Sequence, residues 1–113
     1  MDCIFCKLAA HEIPTQVVYE DDDIFVFKDT DPQAPVHYLF IPKQHIASLN
    51  EVGESEAELI GKIYQKIADI AKKEGFSENG YRVVSNCGKD GGQSVPHLHF
   101  HVLAGREMTW PAG

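Results

Sequence analysis

Three histidines occupy alternate positions near the C-terminal end of the sequence, at His97, His99 and His101. The chain contains six histidines, and half of them lie in this short segment. An imidazole is neutral or charged near pH 7, so it can act as a nucleophile, a proton donor or a metal ligand. The alternation with apolar residues predicts a strand over 95–103 with the three imidazoles on one face. The opposite face, towards the core, would be formed by Leu98, Phe100 and Val102.

Three interpretations of this histidine row are open: a metal site, a nucleophile with its helpers, or a solvated strand face. In an extended strand the first and third side chains stand about 13 Å apart at the backbone, which disfavours a single ion. A phosphate group, with several oxygens and a leaving group, suits a linear row better. The preceding segment 88–94 contains three glycines and ends in Ser94. Such a turn can bring backbone N–H groups close to an anion, although by itself it is equally typical of a hairpin connection.

Length, composition and charge limit what kind of protein this can be. The 113 residues fit one domain, predicted here as 1–113, and 43% hydrophobic residues can form one modest core. A net charge of -7 argues against nonspecific binding to nucleic acid or to anionic membranes, since both need a basic surface. Neither a membrane-spanning apolar run nor a signal peptide pattern is present, so a cytoplasmic protein is expected.

The remaining pattern predicts an α+β domain with a five-stranded antiparallel sheet. A short helix with Ile4, Phe5 and Leu8 facing inward should precede Pro14. A long helix is predicted over 55–73, starting with a capping box at Ser55 and Glu58 and ending near Gly75. The strands are predicted over residues 17–19, 24–28, 38–41, 81–85 and 95–103. The apolar stripe of the long helix, which should pack on one face of the sheet, consists of Leu59, Ile63, Ile67 and Ile70.

The segment "HLHFHVL" resembles the His-x-His-x-His motif of the histidine triad superfamily, in which x is apolar. The likeness extends to "EIPTQVVYEDDDIFVFKDTDPQAPVHYLFIPKQHI", "GYRVVSN", "GGQSVPHLHFHVLAGREM" and the terminal "WPAG". These segments are similar to the Hint branch, the histidine triad nucleotide-binding proteins also called protein kinase C-interacting proteins. The resemblance covers nearly the whole chain.

The resemblance implies a HIT-like α+β fold whose five-stranded sheet joins a second copy in a homodimer with one ten-stranded sheet. It implies binding of purine nucleoside monophosphates, such as AMP, and hydrolysis of the P–N bond of nucleoside phosphoramidates. That reaction proceeds through a nucleotidyl-histidine intermediate and requires no cofactor. The alternative is a nucleotide-binding regulatory protein with little turnover.

The same match assigns catalytic roles to four histidines. His99 would attack phosphorus, which splits one displacement into two easier ones. His101 would contact the phosphate and serve as the proton donor that an amine leaving group needs. His97 and His37 would orient the nucleophile by hydrogen bonding.

The match also implies a nucleotide site. Asn86, Gly92 and Ser94 would line its phosphate end, and Asp29 would hold the ribose hydroxyls. The base pocket would be formed by Ile13, Phe27 and Thr30. From the residues alone, Ile13 and Phe27 are equally typical of a core and Asp29 of a turn. The sequence departs from the Hint pattern at Lys28, where animal members often have histidine, and at Thr30, where isoleucine is usual, which leaves substrate preference open but not the reaction class. Trp110 matches a tail tryptophan that approaches the partner subunit's active site.

Two of the three cysteines form a Cys-x-x-Cys pair, Cys3 and Cys6. Such a pair can supply half of a tetrahedral zinc site, and it can equally be two half-buried thiols. Some bacterial histidine triad proteins complete the pair with two histidines, which here would be His45 and His97. The resemblance therefore adds a structural zinc site as one interpretation of the pair, and two half-buried thiols are the other. No role is assigned to Cys87.

Overall fold

The computed structural model describes residues 2–113. In chain order its elements are α1 (Ile4–Ala9), β1 (Val17–Glu20), β2 (Ile24–Lys28), β3 (Val36–Pro42), a short 3₁₀ turn (Leu49–Glu51), α2 (Glu54–Glu74), β4 (Tyr81–Val84) and β5 (Phe100–Ala104). The strands form one sheet in the order β1-β2-β3-β5-β4, and every neighbouring pair is antiparallel. The predicted α+β class with a five-stranded antiparallel sheet is confirmed. In the described residues 2–113, none of the helices is long and apolar enough to span a membrane.

Helix α2 covers one face of the sheet with the predicted apolar stripe. Ile63, Ile67 and Ile70 are buried in the cluster that contains Phe100 and Val102 of β5. The helix ends as predicted, because Gly75 adopts the left-handed conformation that favours glycine. These contacts pack one face of β5 against α2, and the other face of the strand points to the opposite side of the sheet.

The capping box predicted at Ser55 is wrong, since α2 begins at Glu54 with Gly53 as its N-cap. The carboxylate of Glu56, three residues after the cap, accepts the Gly53 N–H at 2.8 Å. The Ser55 hydroxyl donates to Glu56 instead of capping the helix. The helix therefore starts one residue earlier than the pattern indicated.

Helix α1 covers part of the other face of the sheet. Phe5 and Leu8, three residues apart on one side of the helix, pack with Leu39 and Ile41 of β3. The expectation that Ile4 also faces inward is wrong, because its exposed fraction is 50%. Since α1 has only six residues, one end of this sheet face is left free for polar side chains.

Strand β5 is shorter than predicted, and this changes the geometry of the histidine row. The strand begins at Phe100, while residues 95–97 form a bend and 98–99 are irregular. Pro96 has no N–H to donate to a ladder, and the His97 N–H bonds back to the Val95 carbonyl at 2.8 Å. The interpretation of all three histidines as one straight strand is therefore wrong. The predicted core residues are nevertheless buried: Leu98, Phe100 and Val102.

Candidate active site and metal cluster

His99 is a buried imidazole whose hydrogen-bond partner fixes its tautomer. Its Nδ1 lies 2.7 Å from the backbone carbonyl of His97, which can only accept a hydrogen bond. Nδ1 therefore carries the proton, and Nε2 keeps a free lone pair. The ring is 4% exposed and packs edge-on against Phe5 of α1, with 5.1 Å between ring centroids. This arrangement presents an unprotonated ring nitrogen from a fixed position, as a nucleophile requires.

His37 and His101 form a directional chain of hydrogen bonds. The backbone N–H of Gln33 donates to His37 Nδ1 at 3.0 Å, so the proton of that ring lies on Nε2. His37 Nε2 then donates to His101 Nδ1 at 2.9 Å, which leaves the His101 proton on Nε2. Asp29 lies beside the pair, with Oδ2 3.4 Å from His37 Nε2. We call Asp29, His37 and His101 the histidine relay; its geometry sets His101 up as a donor.

The electrostatics of the relay keep His101 neutral in the free protein. Burial lowers its pKa from 6.5 to about 4, and the neighbouring His99 and His37 rings act in the same direction. Asp29 raises that pKa but does not outweigh the other causes. The His101 and His99 ring centroids lie 5.1 Å apart. A charged phosphoryl group placed between them would therefore meet a free lone pair on one side and an N–H on the other.

The structure distributes the orienting contacts differently from the sequence interpretation, which had His37 and His97 both holding the nucleophile. The ring of His37 contacts His101. His97 contacts His99 through its backbone carbonyl, while its ring nitrogens have other partners.

The ring of His97 lies in a cluster with the two N-terminal cysteines. Its Nε2 donates to the Pro42 carbonyl at 2.8 Å, so Nδ1 has a free lone pair. That Nδ1 lies 3.2 Å from Cys3 Sγ, 3.5 Å from Cys6 Sγ and 3.2 Å from His45 Nδ1. Cys6 Sγ also lies 3.4 Å from His45 Nδ1. We call these four residues the thiol–imidazole cluster.

The dimensions and chemistry of this cluster fit a tetrahedral zinc ion. Zn–S bonds near 2.3 Å and Zn–N bonds near 2.0 Å imply ligand–ligand separations of about 3.3–3.8 Å. The four N···N and S···N distances in the cluster, 3.2–3.5 Å, lie at or just below that range. Two thiols and two imidazoles are also a preferred ligand set for structural zinc. Cys3, Cys6, His45 and His97 could therefore hold the ion together.

Local structure explains why the two thiols face the same way. Cys3 is the N-cap of α1, and its Sγ accepts the Cys6 N–H at 3.4 Å. Residues three apart at a helix start lie on one side, so the spacing converges both sulfurs on His97. Burial and the neighbouring Cys3 raise the pKa of the Cys6 thiol, and burial lowers that of His97. A bound cation would favour the thiolate, so metal binding should release protons.

The glycine-rich segment forms a compact loop beside these histidines. Asn86 donates to the Gly91 carbonyl at 2.7 Å. Gly92 has a positive φ of 76°, and a Cβ at Gly91 would stand 2.3 Å from the Cys87 carbonyl oxygen. Gly91 therefore has no room for a side chain, and the backbone conformation at Gly92 favours glycine. Ser94 follows it on the surface.

The predicted ribose and base residues are partly brought together. A cavity of about 770 Å³ is lined by Asp29, Thr30 and His37, with Lys28 on its wall. Phe27, by contrast, is buried and packs edge-on against Phe5 at 5.5 Å between ring centroids. Ile13 is half-buried against the same apolar cluster. Trp110 is 82% exposed.

Three residues that the sequence did not single out organise the site. Gln33 orients His37 through its N–H, and Arg106 Nε donates to the Gln33 carbonyl at 2.9 Å. Gln93 donates from Nε2 to the Ala47 carbonyl at 2.8 Å and to the Val95 carbonyl at 3.0 Å. Only Gln93 had a signal, as a lone amide inside the glycine-rich segment. Gln33 acts through its backbone N–H, and the Arg106 side chain donates to the backbone carbonyl of Gln33, so the residue type at position 33 carries no mark of either contact.

The sequence of the chain is similar to those of known proteins. The model of the family described as "Scavenger mRNA decapping enzyme C-term binding" matches residues 2–110. An uncharacterised HIT-like protein of Synechococcus elongatus is 50% identical over 112 residues, which are 99% of this chain and 97% of that protein.

Solved structures resemble the fold closely. The HIT family hydrolase from Legionella pneumophila superimposes with a TM-score of 0.97 at 51% identity, covering 99% of this chain and all of that one. A zinc-bound histidine triad family protein from Mycobacterium smegmatis superimposes with a TM-score of 0.78 at 30% identity, covering 94% of this chain and 76% of that one.

Proposed function

The chain belongs to the histidine triad (HIT) family, and on that premise we propose that it is a nucleotidyl hydrolase that cleaves the P–N bond of purine nucleoside 5′-phosphoramidates. The observation that carries the proposal is the tautomer of His99, whose Nδ1–H is held by the His97 carbonyl. That contact leaves Nε2 free to attack phosphorus. The hydrolase name of the Legionella relative supports the reaction class.

In the first step His99 Nε2 forms a bond to phosphorus as the P–N bond breaks. The electron pair of that bond leaves on the amine, which needs a proton. A phosphoryl anion beside His101 raises the affinity of its ring for a proton, so the bound complex takes one up at Nδ1, which displaces the bond from His37, and delivers the Nε2 proton to the amine. His101 then returns to the neutral form. The phosphorylated His99 carries a positive charge, which the His97 carbonyl stabilises.

In the second step water attacks phosphorus and the His99–phosphorus bond breaks. His101 accepts a proton from the water, and nucleoside monophosphate is released. Neither step uses a metal ion or another cofactor, since nucleophile, donor and acceptor are all imidazoles. In the free protein His37 holds His101 in the Nε2–H tautomer, and this bond re-forms when His101 loses its Nδ1 proton at the end of the cycle.

We assign substrate binding to the residues around these histidines. Asp29 would accept hydrogen bonds from the ribose hydroxyls, and the lining of the 770 Å³ cavity by Asp29 and Thr30 supports this. The phosphate end would be formed by Asn86, Gly92 and Ser94. Of the three residues expected at the base, the purine would lie against Thr30 and the half-buried Ile13, whereas Phe27 is buried against Phe5 and would not contact it.

We further propose that the thiol–imidazole cluster binds a structural zinc ion. The ligand set and its spacing support this, as does the zinc-bound Mycobacterium relative.

We expect a homodimer, since β4 is an edge strand of the sheet and Trp110 is exposed enough to reach a second subunit. Three free cysteines suit the reducing cytoplasm.

The test is release of AMP from adenosine phosphoramidate by the wild type and by His99→Ala. We expect the variant to be slower by at least about 10⁴-fold, because the nucleophile is removed. His11→Ala is the control, since that histidine is exposed and pairs with Glu20. Equal rates in wild type and His99→Ala would rule out the mechanism. Nucleotide binding without turnover in the wild type would identify a binding protein instead.

A further inference from the structure

His97 belongs to both functional groups of the molecule. Its ring lies in the thiol–imidazole cluster, and its backbone carbonyl accepts the Nδ1–H of His99. The residue is fully buried, with an exposed fraction of 0%. A single residue therefore connects the candidate metal ion to the candidate nucleophile.

The backbone around His97 depends on anchors other than the sheet. The ladder with β3 begins only at Phe100, so His97 and His99 precede the regular strand. The local contacts are a short bond from the His97 N–H to Val95 and one from the Leu98 N–H to the Ile46 carbonyl at 2.6 Å. The His97 carbonyl shares one peptide plane with the Leu98 N–H, whose acceptor Ile46 directly follows His45 of the cluster. The direction of that carbonyl is consequently set by how the His97 ring and the His45 segment are held relative to each other.

We propose that a metal ion in the thiol–imidazole cluster positions His99 for attack, with Cys3, Cys6 and His45 acting through His97 as positioning residues. The inference rests on the proposed zinc site and deepens the proposed hydrolase function. A metal bond to Nδ1 and the Nε2–H bond to the Pro42 carbonyl hold the His97 ring at both nitrogens. The ring then cannot turn without breaking one of them, and the carbonyl keeps its direction.

Without the ion the same ring is held less firmly. A thiol is a weak hydrogen-bond donor, so Cys3 and Cys6 replace a coordinate bond with weak contacts to Nδ1. A small rotation of the His97 carbonyl would release the His99 Nδ1–H. The His99 proton could then lie on either ring nitrogen, and the ring could adopt two orientations. Displacements near 1 Å at a reacting atom can cost about 100-fold in rate.

The experiment compares four preparations: zinc-loaded wild type, wild type stripped by a chelator, the stripped protein with zinc restored, and Cys6→Ala. Cys87→Ala is the matched control, because Cys87 is also a half-buried free thiol but lies outside the cluster. One readout is the ¹⁵N NMR signal of the His99 side chain, which reports where its proton lies. The other is the split between kcat and KM for adenosine phosphoramidate.

We expect stripping and Cys6→Ala each to weaken the His99 Nδ1–H signal and to lower kcat about 10–100-fold, as loss of an orienting contact does. KM should change by less than about threefold, since ground-state binding is retained. Restored zinc should recover both readouts, and Cys87→Ala should match the wild type.

Three outcomes would overturn the inference. The first is that stripping and Cys6→Ala lower the melting temperature but leave the His99 signal and kcat unchanged at temperatures below it, which indicates a purely structural ion. The second is wild-type protein that binds no zinc after reconstitution. The third is a His99 signal independent of zinc in protein that lacks hydrolase activity. Lack of activity alone contradicts only the proposed function, because the NMR readout needs no turnover.

Discussion

Within residues 2–113, two groups of three or more His, Cys, Asp or Glu side chains have potential ligand atoms within 4.8 Å of one another: the thiol–imidazole cluster and the histidine relay. By proximity alone either could hold a metal ion. They differ in the positions of the ring protons. In the cluster, the His97 proton is directed away to Pro42, so a lone pair faces the thiols. In the relay, the His37 proton lies between His37 and His101, on the nitrogen that would have to bind the ion.

This difference comes from the partner of the other ring nitrogen. The Pro42 carbonyl can only accept a hydrogen bond, so His97 Nε2 carries a proton. The Gln33 N–H can only donate one, so His37 Nδ1 carries a lone pair. To bind a metal through Nε2, His37 would have to move its proton to Nδ1 and lose the bond from Gln33. The comparison teaches that the contact on the remote nitrogen decides whether a histidine serves as a metal ligand or as part of a proton path.

Removing one histidine from each group should separate the two roles most strongly in zinc affinity. His45→Ala should weaken zinc binding by more than the roughly 100-fold that loss of a mere orienting residue costs, because a direct ligand is removed. His37→Ala should leave the affinity and a stoichiometry of one ion per chain unchanged. Competition with a chromophoric chelator measures both. Equal losses in the two variants would show that proximity, not proton position, selects the site.

The converse effect should appear in catalysis through the relay. His37→Leu should lower kcat about 10–100-fold, since His101 loses the bond that fixes its tautomer. His37→Gln should retain more activity, because its amide N–H can still donate towards His101 Nδ1. Zinc content should be the same in both. A glutamine variant as slow as the leucine variant would argue that His37 acts by packing alone.

How far the sequence anticipated this contrast can be judged from individual residues. Alternating polarity correctly predicted the burial of Leu98, Phe100 and Val102, since side-chain periodicity is a local property. The same pattern overextended β5, because the bend at 95–97 depends on Pro96 and on the distant Ile46 carbonyl.

The candidate site was less accessible to local reasoning. Cys3 and His97 are separated by 94 positions, and their pairing was implied by the family resemblance, not by spacing. The tautomers were not predictable at all, because they depend on backbone groups of Gln33 and Pro42. Any residue type can supply such a group, so composition carries no trace of it.

The smallest expected effect concerns the response of the relay to pH. His101 has a folded-state pKa of about 4, mainly through burial, against an ordinary value of 6.5. As pH falls from 6.5 towards 4, the unfolded chain takes up a proton that the folded protein does not, so the free energy of unfolding decreases. This contribution to stability is fully present above pH 6.5 and is lost as pH falls through the folded pKa.

His101→Gln removes that titration while keeping a polar side chain at the position. The drop in melting temperature between pH 7 and pH 4.5 should therefore be smaller in the variant, by on the order of 5 °C for a domain of this size. Loss of zinc at low pH is common to both proteins and cancels in the difference. Parallel melting curves would mean that His101 titrates normally in the folded state. The relay would then differ from the thiol–imidazole cluster in the positions of its ring protons, but burial would not disfavour the charged form of His101.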